Sequence, residues 1–386
     1  MTAWARRRPA AIAAAVVTAV VTAVALGGCA SGTSAGPPAD AASVVVRCAN
    51  AVGDAASINE AIARSPEGAE IVLSGTCALS ETITLRGDRA YRGESRTGTV
   101  LRQSDGADLP ALLASDSWVD DDRGTGPPFT VRDMTLDGNR AGNTGSATDG
   151  LVIRSWKTSV EGLDVEAFGG SGIRVTDRSA DGNALDSTQV NGRIVGNVIT
   201  GSGRHGVQVD DSGNGVTDWQ LADNWIADSG LDGVHVDNSA GWMINRNHVY
   251  GVGNNAIWAD RLYGTTISDN YVEGFGEIGT GIWYGIGLQV NGGAASTVAN
   301  NRVFALEGER EGSTYRYIGV ARVNYGVGVL AVSGNTVRGI PGARGVGLYY
   351  SAGEGGGLDL TSVGNAVTDL AAPRILERNV TMSPGF

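Results

Sequence analysis

One short pattern recurs along this chain and limits what the chain can become. An apolar residue, a few variable positions, an asparagine, one variable position and a second apolar residue appear as IVGNVI, LADNWI, INRNHV, ISDNYV, VANNRV, VSGNTV and VGNAV. The asparagines are Asn197, Asn224, Asn247, Asn270, Asn301, Asn335 and Asn365, spaced by 27, 23, 23, 31, 34 and 30 residues. VRDMTL and VEGLDV occupy the same frame upstream, with Met134 and Leu163 in the asparagine column. A glycine–apolar–x–apolar pattern precedes the asparagine in most units, as GLVIR, GIRVT, GVQVD, GVHVD and GLQVN, with AIWAD as a variant. Both patterns have the two-residue period of strands. Glycine, 59 of 386 residues, has no collagen period here and therefore marks tight turns. A unit this small cannot bury its own apolar positions, whereas stacked units bury them in one continuous column. The spacing suits one coil per repeat and disfavours the four-stranded blade of a propeller. Asparagines in such a frame are scaffold, their amides bonding turn backbone and each other along the stack.

The pattern resembles the right-handed parallel β-helix proteins of the pectate-lyase-like superfamily, over residues 44–370. The resemblance implies an all-β solenoid with three strands per coil. It places the asparagine ladder between the second and third strands, and GVHVD-type segments on the first. GDAASINEAIARSPEGAEIVLSGT, near the start, is similar to the helix and first strand that cap such solenoids. Asp54 suits the N-cap, Ile58 and Ile62 lie one turn apart, and Pro66 stops the helix. Residues 371–386 are expected to form a C-terminal cap or tail.

The N-terminus reads as a targeting segment. Arg6, Arg7 and Arg8 precede an apolar run that ends at LGGC, similar to a bacterial lipobox whose cysteine is Cys29. The expectations are a lipoprotein signal peptide over 1–28, lipidation at Cys29 and a flexible tether over 29–43. Contact with the membrane would run through the lipid alone, leaving the domain on the outer face of the cell membrane, or secreted. The net charge of −12 becomes more acidic once the leader arginines are removed, which argues against a nucleic-acid partner. Cys48 and Cys77 are then the remaining pair, and in an oxidising compartment one disulfide is expected between them.

Outward positions on the first strand of each coil form columns. One reads Val152, Arg174, Gln208, His235, Trp258, Gln289; the next reads Arg154, Thr176, Asp210, Asp237, Asp260, Asn291. Asp149, Ser171, His205, Asp232, Asn255 and Ile286 come just before the glycines or their equivalents. Neighbouring strands lie about 4.8 Å apart. Asp210, Asp237 and Asp260 would then form a row of carboxylates, and a pair at this spacing repels by roughly 3 kcal/mol at an effective dielectric near 20. Such a row raises one pKa or recruits a cation, here Ca²⁺. Asp210, Asp237, His235, His205 and Asp232 are the candidate catalytic groups. Arg174, Gln208, Trp258, Gln289 and Asn291 are the candidate contacts to a glycan. A protonated and an ionised carboxylate together hydrolyse glycosides, and a bridging cation with Arg174 or His235 as base serves β-elimination.

Family motifs match only in part. ATDGL, with Asp149, resembles the first acidic motif of polygalacturonase-like hydrolases, and RHGV, with His205, resembles their Gly-His-Gly. The adjacent aspartate pair is replaced by GGSGI, and the alginate-epimerase and pectate-lyase signatures are missing. Residues 271–286, with Tyr271, Phe275, Trp283 and Tyr284, and residues 305–317 are expected to wall a groove or pack over an irregular coil. The expected role is polysaccharide processing by hydrolysis or β-elimination; the other is a non-catalytic surface module binding glycan or protein.

Overall fold

A computed structural model describes residues 42–383. The leader, Cys29 and the tether as far as residue 41 lie outside the described residues. The chain winds as a right-handed β-helix whose coils contribute to three parallel sheets. The first sheet contains Asp149–Ile153, Ile173–Thr176, Val207–Asp210, Val234–Val236, Ile257–Leu262 and Ile282–Asn291. The second contains Ser159–Glu161, Arg193–Val195, Gln220–Ala222, Met243–Asn245 and Thr266–Ser268. The third contains Asp164–Glu166, Val198–Thr200, Trp225–Ala227, His248–Tyr250 and Tyr271–Glu273. Each strand pairs with its counterpart one coil away, so alternate side chains stack inward. Val207, Val234 and Ile257 form one such inward row, all fully buried.

The asparagines occupy the turn between the second and third sheets. Asn247 shows the common arrangement. Its Oδ1 accepts from the backbone N–H of Asn224 at 3.1 Å and from the Asn224 amide at 2.9 Å. Its own Nδ2 donates to the Leu221 carbonyl at 2.9 Å and to Asn270 Oδ1 at 3.0 Å. The same bonds run unbroken from Asn197 to Asn365. Upstream, the Leu163 N–H donates to Asn197 Oδ1 at 2.9 Å, and buried Leu163 and Met134 continue the column without amides. The residue before each ladder asparagine is left-handed, with φ 58° at Asp223, 55° at Arg246 and 58° at Asp269. That conformation lets the chain reverse within two residues, and Asp, Asn and Gly tolerate it best. Arg246 is held there by two bonds to Asp223, at 2.7 and 2.8 Å.

The N-terminal helix, Asp54–Arg64, lies against the open end of the stack with Ile58 and Ile62 buried. Gly53, not Asp54, is its N-cap. Asp54 is the first helical residue, and its carboxylate turns back to accept from the N–H groups of Ala51 and Ala49, and of Ala78 across the coil. Burial opposes that charge, but the N–H donors win and its pKa is lowered. Cys48 and Cys77 are joined by a disulfide with Cα atoms 4.9 Å apart, closing the chain around this helix. At the other end, Ala372–Leu376 and Val380–Met382 add further strands to the first and second sheets. As far as residue 383, the segment read as a cap or tail therefore continues the solenoid.

Arg154 departs from its expected outward place: it is fully buried. The coils before and after it carry inserted loops, around residues 116–126 and 177–186, that fold over this part of the first sheet. The guanidinium donates to the carbonyls of Ser117 at 2.7 Å, Asp177 at 3.2 Å, Asn183 at 3.2 Å and Asp122. Val152 is covered for the same reason, by Trp118 of the short helix Asp116–Val119.

Two stability measurements follow from these bonds. Asn247→Ala strips partners from the Asn224 N–H and amide and from the Leu221 carbonyl. At roughly 1–3 kcal/mol per unpaired buried group, urea unfolding should show a loss of about 3 kcal/mol. Asn365→Ala, at a half-exposed end of the ladder, should cost about 1 kcal/mol because water replaces the lost bonds. Arg154→Leu strips the Asp122 carbonyl of its donor and takes one of two donors from the carbonyls of Ser117, Asp177 and Asn183, and should cost about 3 kcal/mol. Limited proteolysis of that variant should cut first within 116–126 or 177–186.

Candidate functional site

The outward columns of the first sheet meet at the coils of residues 205–210, 232–237 and 255–260. Strand register aligns Val152, Arg174, Gln208, His235 and Trp258, as the spacing requires. The next partner is Gly287, not Gln289. Both Gly285 and Gly287 fit the glycine pattern, but Gly285 is the one that faces the core. A side chain there would meet Val303 at 2.4 Å and the Tyr317 carbonyl at 2.6 Å. Gly233 occupies the same tight place two units earlier, against Val249 and the Ala256 carbonyl. The two-residue correction moves Ile286 into the core beside Ile257 and brings Tyr284 next to Asn255. Gln289 moves out of the Trp258 column and Asn291 out of the Asp260 column. Gln289 accepts from Arg322, and Asn291 and Asp260 both accept from the Asn324 amide, at 2.9 and 3.1 Å. These last residues line a separate concavity of about 600 Å³ with Tyr263 and Tyr325 on its rim.

The three aspartates do not make one row. Pairing between the coils stops at Val209–Val236 and Val236–Ala259, and the register shifts after Ala259. Asp210 is bonded to Arg174, Asp237 to His235 at 3.1 Å, and Asp260 to Asn324. Each carboxylate has its own donor, and the mutual repulsion expected of a row is not what shapes them.

The histidines are brought together instead. His205 and His235 come from consecutive coils, with ring centroids 4.7 Å apart. His235 is clamped, with Nδ1 at 2.6 Å from Asp232 Oδ2 and Nε2 at 3.1 Å from Asp237 Oδ1. Asp232 is buried, and its Oδ1 accepts from the backbone N–H and the amide of Asn255, at 2.8 and 2.9 Å. Asn255 in turn accepts from the Tyr284 N–H at 2.8 Å. His205 is buried, and its Nδ1 accepts from the Asp232 N–H at 3.3 Å. Burial pushes the His205 imidazole down to about 4, against the pull of Asp232. Burial alone would also lower His235, but its bonds to Asp232 and Asp237 outweigh it and lift that imidazole to about 9. Two rings in contact are thus tuned in opposite directions by their partners.

Arg174 lies on one flank, between Asp210 and Asp149, the latter at 3.4 Å. Burial raises the Asp149 pKa, and the Ser171 N–H and Arg174 oppose it. Gln208 fills the gap to His235 and accepts from the Ser171 hydroxyl at 2.8 Å. Trp258 lies on the other flank, edge to face with Tyr284 at 5.5 Å. Gly287 leaves room for the indole, since a side chain there would come within 2.5 Å of it. Tyr284 bonds Arg316, whose guanidinium lies 3.5 Å over the Tyr349 ring. Asn255 and Tyr284, named in the sequence without a role at this face, join it, and Arg316 and Tyr349 extend it beyond the residues singled out there. Only the choice of Gly285 over Gly287 would have pointed to Tyr284. The other loop aromatics pack inward or elsewhere: Phe275, Tyr315 and Tyr317 are buried together, and Tyr271 stacks on His248 of the third sheet.

Residues 149–366 match the sequence profile of the right handed beta helix region. No curated protein matches the chain. Among solved structures, the A-module of the mannuronan C-5 epimerase AlgE4 of Azotobacter vinelandii is similar with a TM-score of 0.58 at 17% identity, over 87% of this chain and 97% of that one. The enzymatically active domain of tailspike protein 2 of bacteriophage CBA120 gives 0.54 at 10% identity, over 89% of this chain and 47% of that one. PfbA, a surface adhesin of Streptococcus pneumoniae, gives 0.51 at 11% identity, over 89% and 93%. At such identities the likeness is one of fold. With the profile covering more than half of its length and the coils and ladder in place, the chain belongs to the right-handed β-helix family.

Proposed function

We propose that this protein is exported, anchored through a lipid on Cys29, and cleaves an extracellular polysaccharide at the first-sheet face, with His235 as the proton-transfer residue. The observation that carries the reading is the clamp of His235 between Asp232 and Asp237 on an outward, partly open face. Trp258, one strand away, offers an aromatic surface for a sugar ring, and Arg174 on the other flank offers charge. The leader arginines, apolar run and LGGC sequence support export and anchoring.

Between the two cleavage chemistries, the carboxylates favour elimination. Hydrolysis uses one protonated and one ionised carboxylate facing the scissile bond. Here Asp210 is tied to Arg174 and Asp237 to His235, so each carboxylate is already engaged by a neighbouring side chain. In β-elimination a base removes the proton beside a uronate carboxyl, a C=C bond forms, and the glycosidic oxygen leaves with a proton. Arg174 and His235 suit the charge balance of that step. A second reading, a glycan-binding module without chemistry, draws on the same pairing of charges. Similar folds serve both kinds of protein, one named an epimerase of mannuronan and one an adhesin.

The full-length chain, incubated with neutral and uronic-acid polysaccharides, should release chains carrying an unsaturated, ultraviolet-absorbing end. His235→Ala and Asp237→Asn should each lower kcat/KM at least about 100-fold, the usual scale of a lost acid–base group. Trp258→Ala should raise KM with little change in kcat, because stacking holds the ground and transition states alike. Reducing ends without absorbance would turn the reading to hydrolysis. Binding without any product would establish the module.

A further inference from the structure

We propose that His205, Asp232 and His235 form a binding site for one divalent transition-metal ion of the Zn²⁺ class. The site shares His235 with the cleavage reading above: an ion there would take Nδ1 of that imidazole, so the proton transfer assigned to His235 belongs to the ion-free chain, and the binding of an ion stands on geometry alone. Among the described residues, the donor atoms of these three side chains all lie within 4.8 Å of one another. Zinc bonds of about 2.0–2.2 Å at tetrahedral angles set ligand atoms roughly 3.3 Å apart. Asp232 Oδ2 lies 3.7 Å from His205 Nδ1 and 2.6 Å from His235 Nδ1, so small shifts admit an ion. The short distance is a hydrogen bond whose proton the ion would replace. That proton passes to solvent as the metal–nitrogen and metal–oxygen bonds form. The long N–H bond from Asp232 to His205 Nδ1 would also give way.

The donor set selects the class of metal. Two imidazoles and one carboxylate suit Zn²⁺ and its neighbours, whereas Ca²⁺ takes oxygen. The surroundings are those of a held site. Asn255 fixes the far oxygen of Asp232 through two bonds. Asp237 accepts at the far nitrogen of His235, the carboxylate–histidine arrangement that orients an imidazole toward a metal. His205 and Asp232 are buried while His235 is about a quarter exposed, leaving one side open for water or a sugar hydroxyl.

Co²⁺ is the probe, because its visible absorption is intense in a tetrahedral site and weak in water. The full-length chain at neutral pH should bind one equivalent with an intense band, and one equivalent of Zn²⁺ should erase it. His205→Ala and Asp232→Asn should remove the band. Asp237→Asn, on a partly exposed side chain, should keep the fold and weaken Co²⁺ binding about 10- to 100-fold. His248→Ala, which alters the third histidine on another sheet, should change nothing. No intense band in the wild-type chain, or undiminished binding in Asp237→Asn together with a band kept by either buried variant, would overturn the site. A Co²⁺ band with this mutational pattern but no product from any polysaccharide would sustain the metal site and sink the cleavage reading. Cleavage undiminished by chelator, with no band, would do the reverse.

Discussion

The structure depends on a single repeated contact, the amide of one asparagine bonded to the next. Each ladder asparagine satisfies a backbone N–H and a carbonyl of the preceding coil as well as its neighbour's amide. Without the amides these buried groups would lose bonds, and a buried group left unpaired costs more than the bond itself gains. The ladder therefore sets how each coil sits on the last. Sheet pairing then carries that register to the first sheet, where a slip of one residue would exchange inward and outward faces.

The histidine cluster uses that register directly. His205 and His235 belong to different coils, 30 positions apart, yet their rings are in contact. Asn255, one coil further, anchors Asp232. The two rings come from different columns, and their environments diverge accordingly. His205 is enclosed by the next coil and, among the described residues, has no carboxylate closer than 3.7 Å. His235 faces outward between two carboxylates. Burial dominates the first ring and charge pairing the second, so one face holds a neutral and a cationic imidazole side by side.

What was legible in the sequence was whatever repeats. The asparagine frame, with Met134 and Leu163 in it, pointed to one coil per repeat and to the turn, and the alignment of Arg174, Gln208, His235 and Trp258 followed. Reasoning failed where the repeat is interrupted. Gly285 and Gly287 offer the same local pattern, and the choice between them is made by Val303 and Tyr317, residues of other strands. Arg154 keeps the outward period but is covered by loops that have no counterpart in other coils. The aspartate row assumed that strand pairing extends to Asp210, Asp237 and Asp260. It stops one residue short, and beyond that point local donors decide where each carboxylate goes.

The division of labour between the faces explains why fold and function separate so cleanly here. Inward residues and the ladder are constrained by burial, and changing one unsettles both neighbouring coils. Outward residues on the first sheet carry no such constraint, so polar groups collect there with little effect on the stack. A solenoid places them at strand spacing along its axis, which matches side-chain contact between coils. The cost is that strand spacing alone cannot aim a side chain. Here the aiming is done by neighbours that break the repeat: the missing side chain at Gly287 that seats Trp258, the Asn255 amide that turns Asp232, and Tyr284 beside both. The chemistry of this face thus resides in its departures from the repeat, held in place by the parts that do not depart.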